Sequence, residues 1–305
     1  MGGDPNRLLL ISLSNVGDAV MTTPVLELMH QRYPEAAIDI VADRRASGLF
    51  QHCPYRGRVL HKDKSAGWRG LWRLVRTLRQ GRYELIVDLR TDGLAYLLRA
   101  KRRLSKWGAG APCGPHAVDK LLAIAAPLLA AGSSPPAPRL WLDSQLRRFA
   151  DGEVSVLPGR RWLALGPGAR WPRKIWAVER YAEMAGQLGD RFDAVIVLGG
   201  PADRETAARL AQGLALPCLN LAGRTTLLED CAVLERVQFY VGNDSGLGHM
   251  AAALGVPSLT VFGPTDPQRF RPWGTRAAWI AAPDGDLDRL PACQVAARVR
   301  TLVNT

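Results

Sequence analysis

Short β-rich runs alternating with helical stretches constrain this chain more than any other feature. In the second half, "RWLALG" (161–166), "DAVIVLGG" (193–200), "CLNLAG" (218–223), "QFYVGN" (238–243) and "PSLTVFG" (257–263) recur at regular intervals with helical patterns between them. In the first half "RLLLISL" (7–13), "IDIVA" (38–42) and "YELIVDL" (83–89) are the clearest strands. Such alternation reads as α/β with parallel sheets. At 305 residues the chain has the length of about two domains. "GSSPPAP" (132–138) and the turn-rich stretch 151–160 break the rhythm. The expected division is therefore 1–155 and 156–305. Two doubly wound, Rossmann-like domains would face a central cleft at the carboxyl ends of their strands, the second ending in a helix over 287–303.

Composition narrows the class. The chain is 47% hydrophobic and 22% charged, ordinary for a soluble protein. "MGGDPNR" runs straight into a strand-like segment, unlike a secretory leader. The longest apolar run, Leu121 to Ala131, has 11 residues and contains Pro127, against the roughly 20 a bilayer span needs. Five cysteines, at 53, 113, 218, 231 and 293, form no CxxC pair, which argues against a zinc site or a disulfide scaffold. A cytoplasmic location is expected. The charge is lopsided: residues 1–150 hold 23 basic and 12 acidic side chains (+11), residues 151–305 hold 17 and 16 (+1). An acidic partner for the first half follows, whether nucleic acid, anionic lipid or phosphorylated glycan.

Three strand-end loops of the second half carry chemistry. "GNDSGLGHMAAALG" (242–255) places Asp244, Ser245 and Gly246 at the mouth of a helix, with His249 one turn inside. Free N–H groups and the positive end of the dipole make that mouth a ready phosphate site. Plain capping by Asp244 or Ser245, with His249 a core residue, is the alternative. "LGPGARWPRKIW" (165–176) offers a flexible turn at Gly168 and then Arg170, Arg173 and Lys174, cations suited to a diphosphate. "GGPADRE" (199–205) carries Asp203, a potential acceptor for ribose hydroxyls. Together they describe a pocket for a nucleoside diphosphate. The absence of GxGxxG and of GxxxxGK[ST] argues against a dinucleotide oxidoreductase or a P-loop NTPase. In the first half "SLSNVGDAVMTTP" (12–24) is again strand, glycine turn and helix, with Gly17 and Asp18 at the helix start. Asp18 there is either an N-cap or a base. "DGD" (284–286) before a helix reads as turn and cap rather than as a metal site.

These motifs, with "DLRTDGLAYLLRA" (88–100), "GPHAVDK" (114–120) and above all "GNDSGLGHMAAALGVPSLTVFGPTDP" (242–267), resemble the family 9 glycosyltransferases, typified by ADP-heptose:lipopolysaccharide heptosyltransferases. The resemblance runs over most of the chain. It implies the GT-B fold, an N-terminal acceptor domain and a C-terminal nucleotide-sugar domain. It also implies a general-base role for Asp18, a diphosphate contact for Lys174, and donor binding by Gly168, Asp203, Asp244, Ser245, Gly246 and His249. The implied reaction is inverting heptosyl transfer from ADP-heptose to the lipopolysaccharide inner core, with no metal and no cofactor beyond the donor.

That acceptor is anionic and lipid-linked, which gives the cationic half a partner. "KDKSAGWRGLWRLVRTLRQGR" (62–82) sets Trp68, Leu71, Trp72, Val75 and Leu78 on one helical face and Arg69, Arg73, Arg76 and Arg79 on the other, and "RAKRRLSKW" (99–107) adds a second basic cluster. Gly17, Arg69, Arg73, Arg99 and Arg102 are the expected acceptor contacts, with peripheral contact at the inner face of the cytoplasmic membrane. The alternative is a solvated helix that packs its tryptophans on the core. Two other functions stay open: transfer of another nucleotide sugar or to another glycan or protein acceptor, and a nucleic-acid-binding module. No recognition-helix, zinc-finger or RNA-binding signature supports the last.

Overall fold

A computed structural model describes residues 7–62, 67–90 and 92–303. Residues 63–66 of the basic stretch 62–82 and Thr91 of the stretch 88–100 lie outside the described residues. The chain divides into two compact units, 1–141 and 142–305.

In the first unit β1 (Arg7–Ile11) leads through α1 (Val16–Met21) and α2 (Thr23–Arg32) to β2 (Ala37–Ala42). Next come β3 (Arg56–His61), α3 (Gly67–Leu78), β4 (Tyr83–Asp88), β5 (Ala100–Ser105) and α4 (Ala117–Ala125). The strands form one parallel sheet in the order β3-β2-β1-β4-β5. Leu8, Leu9 and Leu10 of central β1 are fully buried. Because the order reverses at β1, the loops after β1 and β4 open at a topological switch point, where parallel α/β sheets bind ligands.

The second unit begins with α5 (Ser144–Val154), followed by β6 (Trp162–Gly166), α6 (Val178–Gln187), β7 (Ala194–Val197), α7 (Arg204–Gly213), β8 (Cys218–Asn220) and α8 (Leu227–Leu234). It continues with β9 (Phe239–Asn243), α9 (Gly246–Ala253), β10 (Ser258–Phe262), α10 (Pro267–Phe270), β11 (Ala277–Ala281) and α11 (Ala292–Val303). Its six strands are parallel in the order β11-β10-β9-β6-β7-β8, with the switch point between β6 and β9. The division falls between Trp141 and Leu142 rather than near residue 155. Helix α5 packs on α8, and Arg147 donates to Glu235 at 2.8 Å, so 144–154 belongs with the second unit. The last helix starts at Ala292, after a short 3-10 turn at Leu287–Arg289.

All the strands named from the sequence are present. Three others, β3, β5 and β11, are edge strands, half-exposed along much of their length, so they lack the continuous apolar run that marks a buried strand. Helix α3 also departs from expectation. Leu74, Val75 and Leu78 are buried with Leu71 packed beside them, while Trp68 and Trp72 stand 69% and 59% exposed. The tryptophans flank the buried stripe instead of filling it, so they do not pack on the core.

Candidate active site

At the switch point of the second sheet, β9 ends at Asn243 and the chain turns through Asp244 and Ser245 into α9. Ser245 holds the N-cap position in extended backbone (φ −147°, ψ 175°), but its side chain makes no capping hydrogen bond. Its Oγ is buried with no hydrogen-bond partner among the described residues. Asp244 does not cap either. Its Oδ2 pairs with Lys174 Nζ at 2.6 Å and accepts a hydrogen bond from Thr265 Oγ1 at 2.7 Å. The first amides of α9 are thus left without a side-chain cap, and the positive helix end is open to an anion. His249, one turn in, is buried.

Lys174 closes a 3-10 turn in the loop after β6. That loop is pinned by Asn243, which is fully buried. Asn243 Oδ1 accepts from the Trp176 amide (3.1 Å) and from the Tyr181 hydroxyl (2.9 Å), and its Nδ2 donates to the Pro167 carbonyl (2.6 Å). Trp176 is locked further by its indole N–H, which donates to the Leu290 carbonyl at 3.0 Å. Asn243 thus fixes both ends of the loop that carries Lys174. Arg170 and Arg173 of the same loop are exposed.

Asp203, after β7, accepts from the Gly200 amide at 2.8 Å, and its carboxylate lies against Gly168. A Cβ at position 168 would collide with that carboxylate, so the close approach of the two loops requires glycine. Beneath them the Tyr240 hydroxyl sits between Gly166 and Gly242, and burial pushes its pKa well above the ordinary tyrosine range. Since β6 pairs with both β7 and β9, all these loops share one edge of the sheet. The structure therefore brings Lys174 together with Asp244, and Gly168 together with Asp203. Asn243, Thr265 and Tyr240 were not assigned from the sequence, although all three lie within or beside the quoted stretch 242–267.

At the switch point of the first sheet, Gly17 and Asp18 stand in the first turn of α1. Asn15, not Asp18, is the N-cap residue. Asp18 is half-buried, and its Oδ2 accepts from Asn15 Nδ2 at 2.8 Å. Nearby, Arg90 donates to Ser14 Oγ at 2.5 Å and pairs with Asp92 at 3.0 Å; Lys62, after β3, also pairs with Asp92. Burial pushes the Asp92 carboxyl up, but Lys62 and Arg90 outweigh it and hold the group below its usual range. Lys62 and Arg90 escaped assignment because neither stands out by spacing.

Of the expected acceptor arginines, Arg99 and Arg102 do not stand at that edge. Arg69 and Arg73 are exposed on α3. The Arg99 carbonyl accepts from the Tyr83 amide at the start of β4, which puts Arg99 at the amino edge, and Arg102 pairs in register with Leu85 in mid-strand. A six-residue strand is about 20 Å long, so Arg99 lies at the far end of the sheet from Asp18. The "DGD" stretch is turn and cap: Asp286 accepts from the Asp288 amide at 3.1 Å, and Asp284 pairs with Arg289. Among the described residues, no three His, Cys, Asp or Glu side chains are grouped so as to hold a metal ion.

Comparison with known proteins identifies the family. The model of glycosyltransferase family 9 (heptosyltransferase) matches residues 71–290. Lipopolysaccharide heptosyltransferase 1 of Pseudomonas aeruginosa is 30% identical, over 86% of this chain and 79% of the relative. Lipopolysaccharide heptosyltransferase 3 of Escherichia coli is 28% identical, over 90% and 88%. Among solved structures, ADP-heptose lipopolysaccharide heptosyltransferase II of E. coli superposes with a TM-score of 0.82 at 24% identity, covering 97% of this chain and 98% of that one. A family 9 transferase from Veillonella parvula superposes with a TM-score of 0.86 at 21% identity, covering 99% and 98%. The fold is α/β of the GT-B type, and the chain belongs to glycosyltransferase family 9, the heptosyltransferases.

Proposed function

We propose that the protein transfers a heptose from ADP-heptose to the inner core of lipopolysaccharide, with inversion, in a single displacement. The observation that carries this reading is the Lys174–Asp244 pair at the uncapped mouth of α9, beside the touching Gly168 and Asp203. The relatives named as lipopolysaccharide heptosyltransferases, and the E. coli heptosyltransferase solved with ADP, supply the substrate class.

In this reading the acceptor hydroxyl attacks the anomeric carbon as the bond to the diphosphate breaks, and Asp18 takes the hydroxyl proton. Asn15 orients the carboxylate that receives it. ADP leaves with the bonding electrons. Lys174 and the first amides of α9 stabilise the charge growing on the diphosphate. Asp244 keeps Lys174 in place, and the Asp203 oxygen not bonded to Gly200 receives a ribose hydroxyl. The anionic acceptor meets Lys62 and Arg90 at the edge that also carries Asp18. The protein acts on a lipid-linked acceptor, at the inner face of the cytoplasmic membrane. No helix among the described residues is long and apolar enough to cross that membrane. No step is assigned to a metal, so transfer is expected to persist in EDTA.

A thermal-shift panel of ADP-, GDP-, UDP- and CMP-sugars tests the donor. A ligand that binds only the folded state raises its melting temperature. The largest rise is expected with ADP-heptose, and a preference for another nucleotide sugar would move the protein to a different transfer.

A further inference from the structure

We propose that the outer face formed by α3 and by residues 94–107 docks on an anionic lipid bilayer. This rests on the lipid-linked acceptor of the preceding reading and adds the surface that reaches it. Helix α3 and the 3-10 turn Leu94–Leu97 are one patch: Leu74, Val75 and Leu78 share a hydrophobic cluster with Leu94, Ala95 and Leu98. Arg79 Nε also donates to the Leu97 carbonyl at 2.7 Å.

Their outward side chains are unusual for a soluble surface. Among the described residues seven large apolar side chains are exposed, and five of them stand here: Trp68, Trp72, Tyr96, Leu97 and Trp107. Cations accompany them. The Arg69 guanidinium lies 5.7 Å from the centroid of the Trp68 ring, the Lys106 ammonium 5.9 Å from that of Trp107, and Tyr96 packs on Trp107 with centroids 5.3 Å apart. Segments 67–82 and 93–107 hold ten Lys and Arg and no Asp or Glu. Of these ten, Lys101 is the one that meets a carboxylate, Glu84, among the described residues. A groove of about 630 Å³ runs along α3, lined by Trp72, Arg73, Val75, Arg76, Arg79 and Gln80.

Exposed indoles beside guanidinium groups suit the headgroup layer of a bilayer. The ring enters the acyl boundary, its N–H stays wet, and each cation near an anionic surface adds to the attraction. The same assignment accounts for Arg99 and Arg102, which do not stand at the edge carrying Asp18, and for Arg69 and Arg73, exposed on α3. They hold the protein on the surface in which the acceptor is embedded, while Lys62 and Arg90 face the acceptor itself.

The test uses the full chain with two vesicle preparations, phosphatidylcholine alone and phosphatidylcholine with phosphatidylglycerol in equal parts. The parent is expected to sediment with the anionic vesicles and not with the neutral ones, with a blue shift of indole emission. Trp68→Ser with Trp72→Ser is expected to weaken partition roughly tenfold or more, the scale of losing two part-buried indoles. Arg76→Gln should weaken it roughly fivefold, the worth of one cation at such a surface. The exposed positions leave folding intact, checked by an unchanged melting temperature. ADP binding, read by calorimetry, should be the same in the double variant as in the parent. A parent that fails to bind ADP would sink the transferase reading and leave the vesicle result standing separately. The docking proposal is overturned by equal partition of parent and double variant, or by equal uptake on both vesicle types. Without vesicle uptake, it is also overturned by salt-sensitive binding of a single-stranded oligonucleotide or by a dimer that depends on the two tryptophans.

Discussion

At the carboxyl edge of the second sheet, the polar groups around Lys174 are held by distant parts of the same unit. Asn243 bridges to Pro167, Trp176 and Tyr181, and Asp244 engages both Lys174 and Thr265. At the corresponding edge of the first sheet, Asp18 is half-exposed and bonded to Asn15 of its own turn, with a cluster of two cations and one acid nearby. The charge follows the same division, +2 for residues 142–305 (19 basic, 17 acidic) against +10 for residues 1–141 (21 basic, 11 acidic). A buried, cross-linked edge suits a small invariant ligand whose phosphates must be placed closely. An open, cationic edge suits a large anionic acceptor that arrives on a lipid. The two edges therefore predict separable effects on donor and acceptor.

The largest is at Asp18. Asp18→Ala is expected to lower turnover by about 10²–10⁴-fold, the contribution of a positioned base, with ADP affinity by calorimetry unchanged. A variant that keeps most of its turnover would reduce Asp18 to a member of the helix's first turn. Next comes Lys174→Ala, expected to weaken ADP binding by roughly 1.5–3 kcal/mol, the scale of a hydrogen bond to a charged group. Unaltered affinity would transfer the role to Arg170 or Arg173.

A pH-dependent stability effect is expected within the second unit. Burial pushes the Asp230 carboxyl up to about 7, against the hydrogen bond it accepts from Thr225 at 2.5 Å. A carboxyl raised in the folded state contributes stability fully below its unfolded value of about 4. It withdraws that contribution as pH rises through about 7. Asp230→Asn should therefore raise the melting temperature at pH 8 and change it little at pH 4. An equal shift at both values would assign the effect to packing.

The smallest effect is that of salt. Between 0.1 and 1 M the Debye length falls from about 10 Å to about 3 Å. The KM for the acceptor is expected to rise severalfold over that range, and the KM for the donor to rise less. Equal responses would remove the electrostatic contrast between the two edges.

The sequence made the interior strands legible because parallel strands covered on both faces must be continuously apolar: "RLLLI", "AVIV" and "SLTVF" could be little else. Edge strands escape this rule. "RGRVLH" and "AKRRLS" read as basic surface, yet they flank the first sheet as β3 and β5. Similarly, Asp18, Lys174 and Asp244 stood out because each follows a strand and a glycine turn. What joins Lys174 to Asp244, or Asn243 to Trp176, is a contact across about seventy residues of chain set by strand order, which local spacing does not encode. The tryptophans of α3 were misplaced because helical periodicity fixes a stripe but not which of two neighbouring stripes meets the sheet.

Transfer itself is the most direct test. Purified protein is incubated with ADP-heptose and an inner-core acceptor lacking the heptose, and the acceptor is then weighed by mass spectrometry while ADP is quantified. The account predicts a gain of one heptosyl residue per ADP released with the parent, inverted at the anomeric carbon, and almost none with Asp18→Ala. An acceptor of unchanged mass, or ADP release with no matching gain, would contradict it.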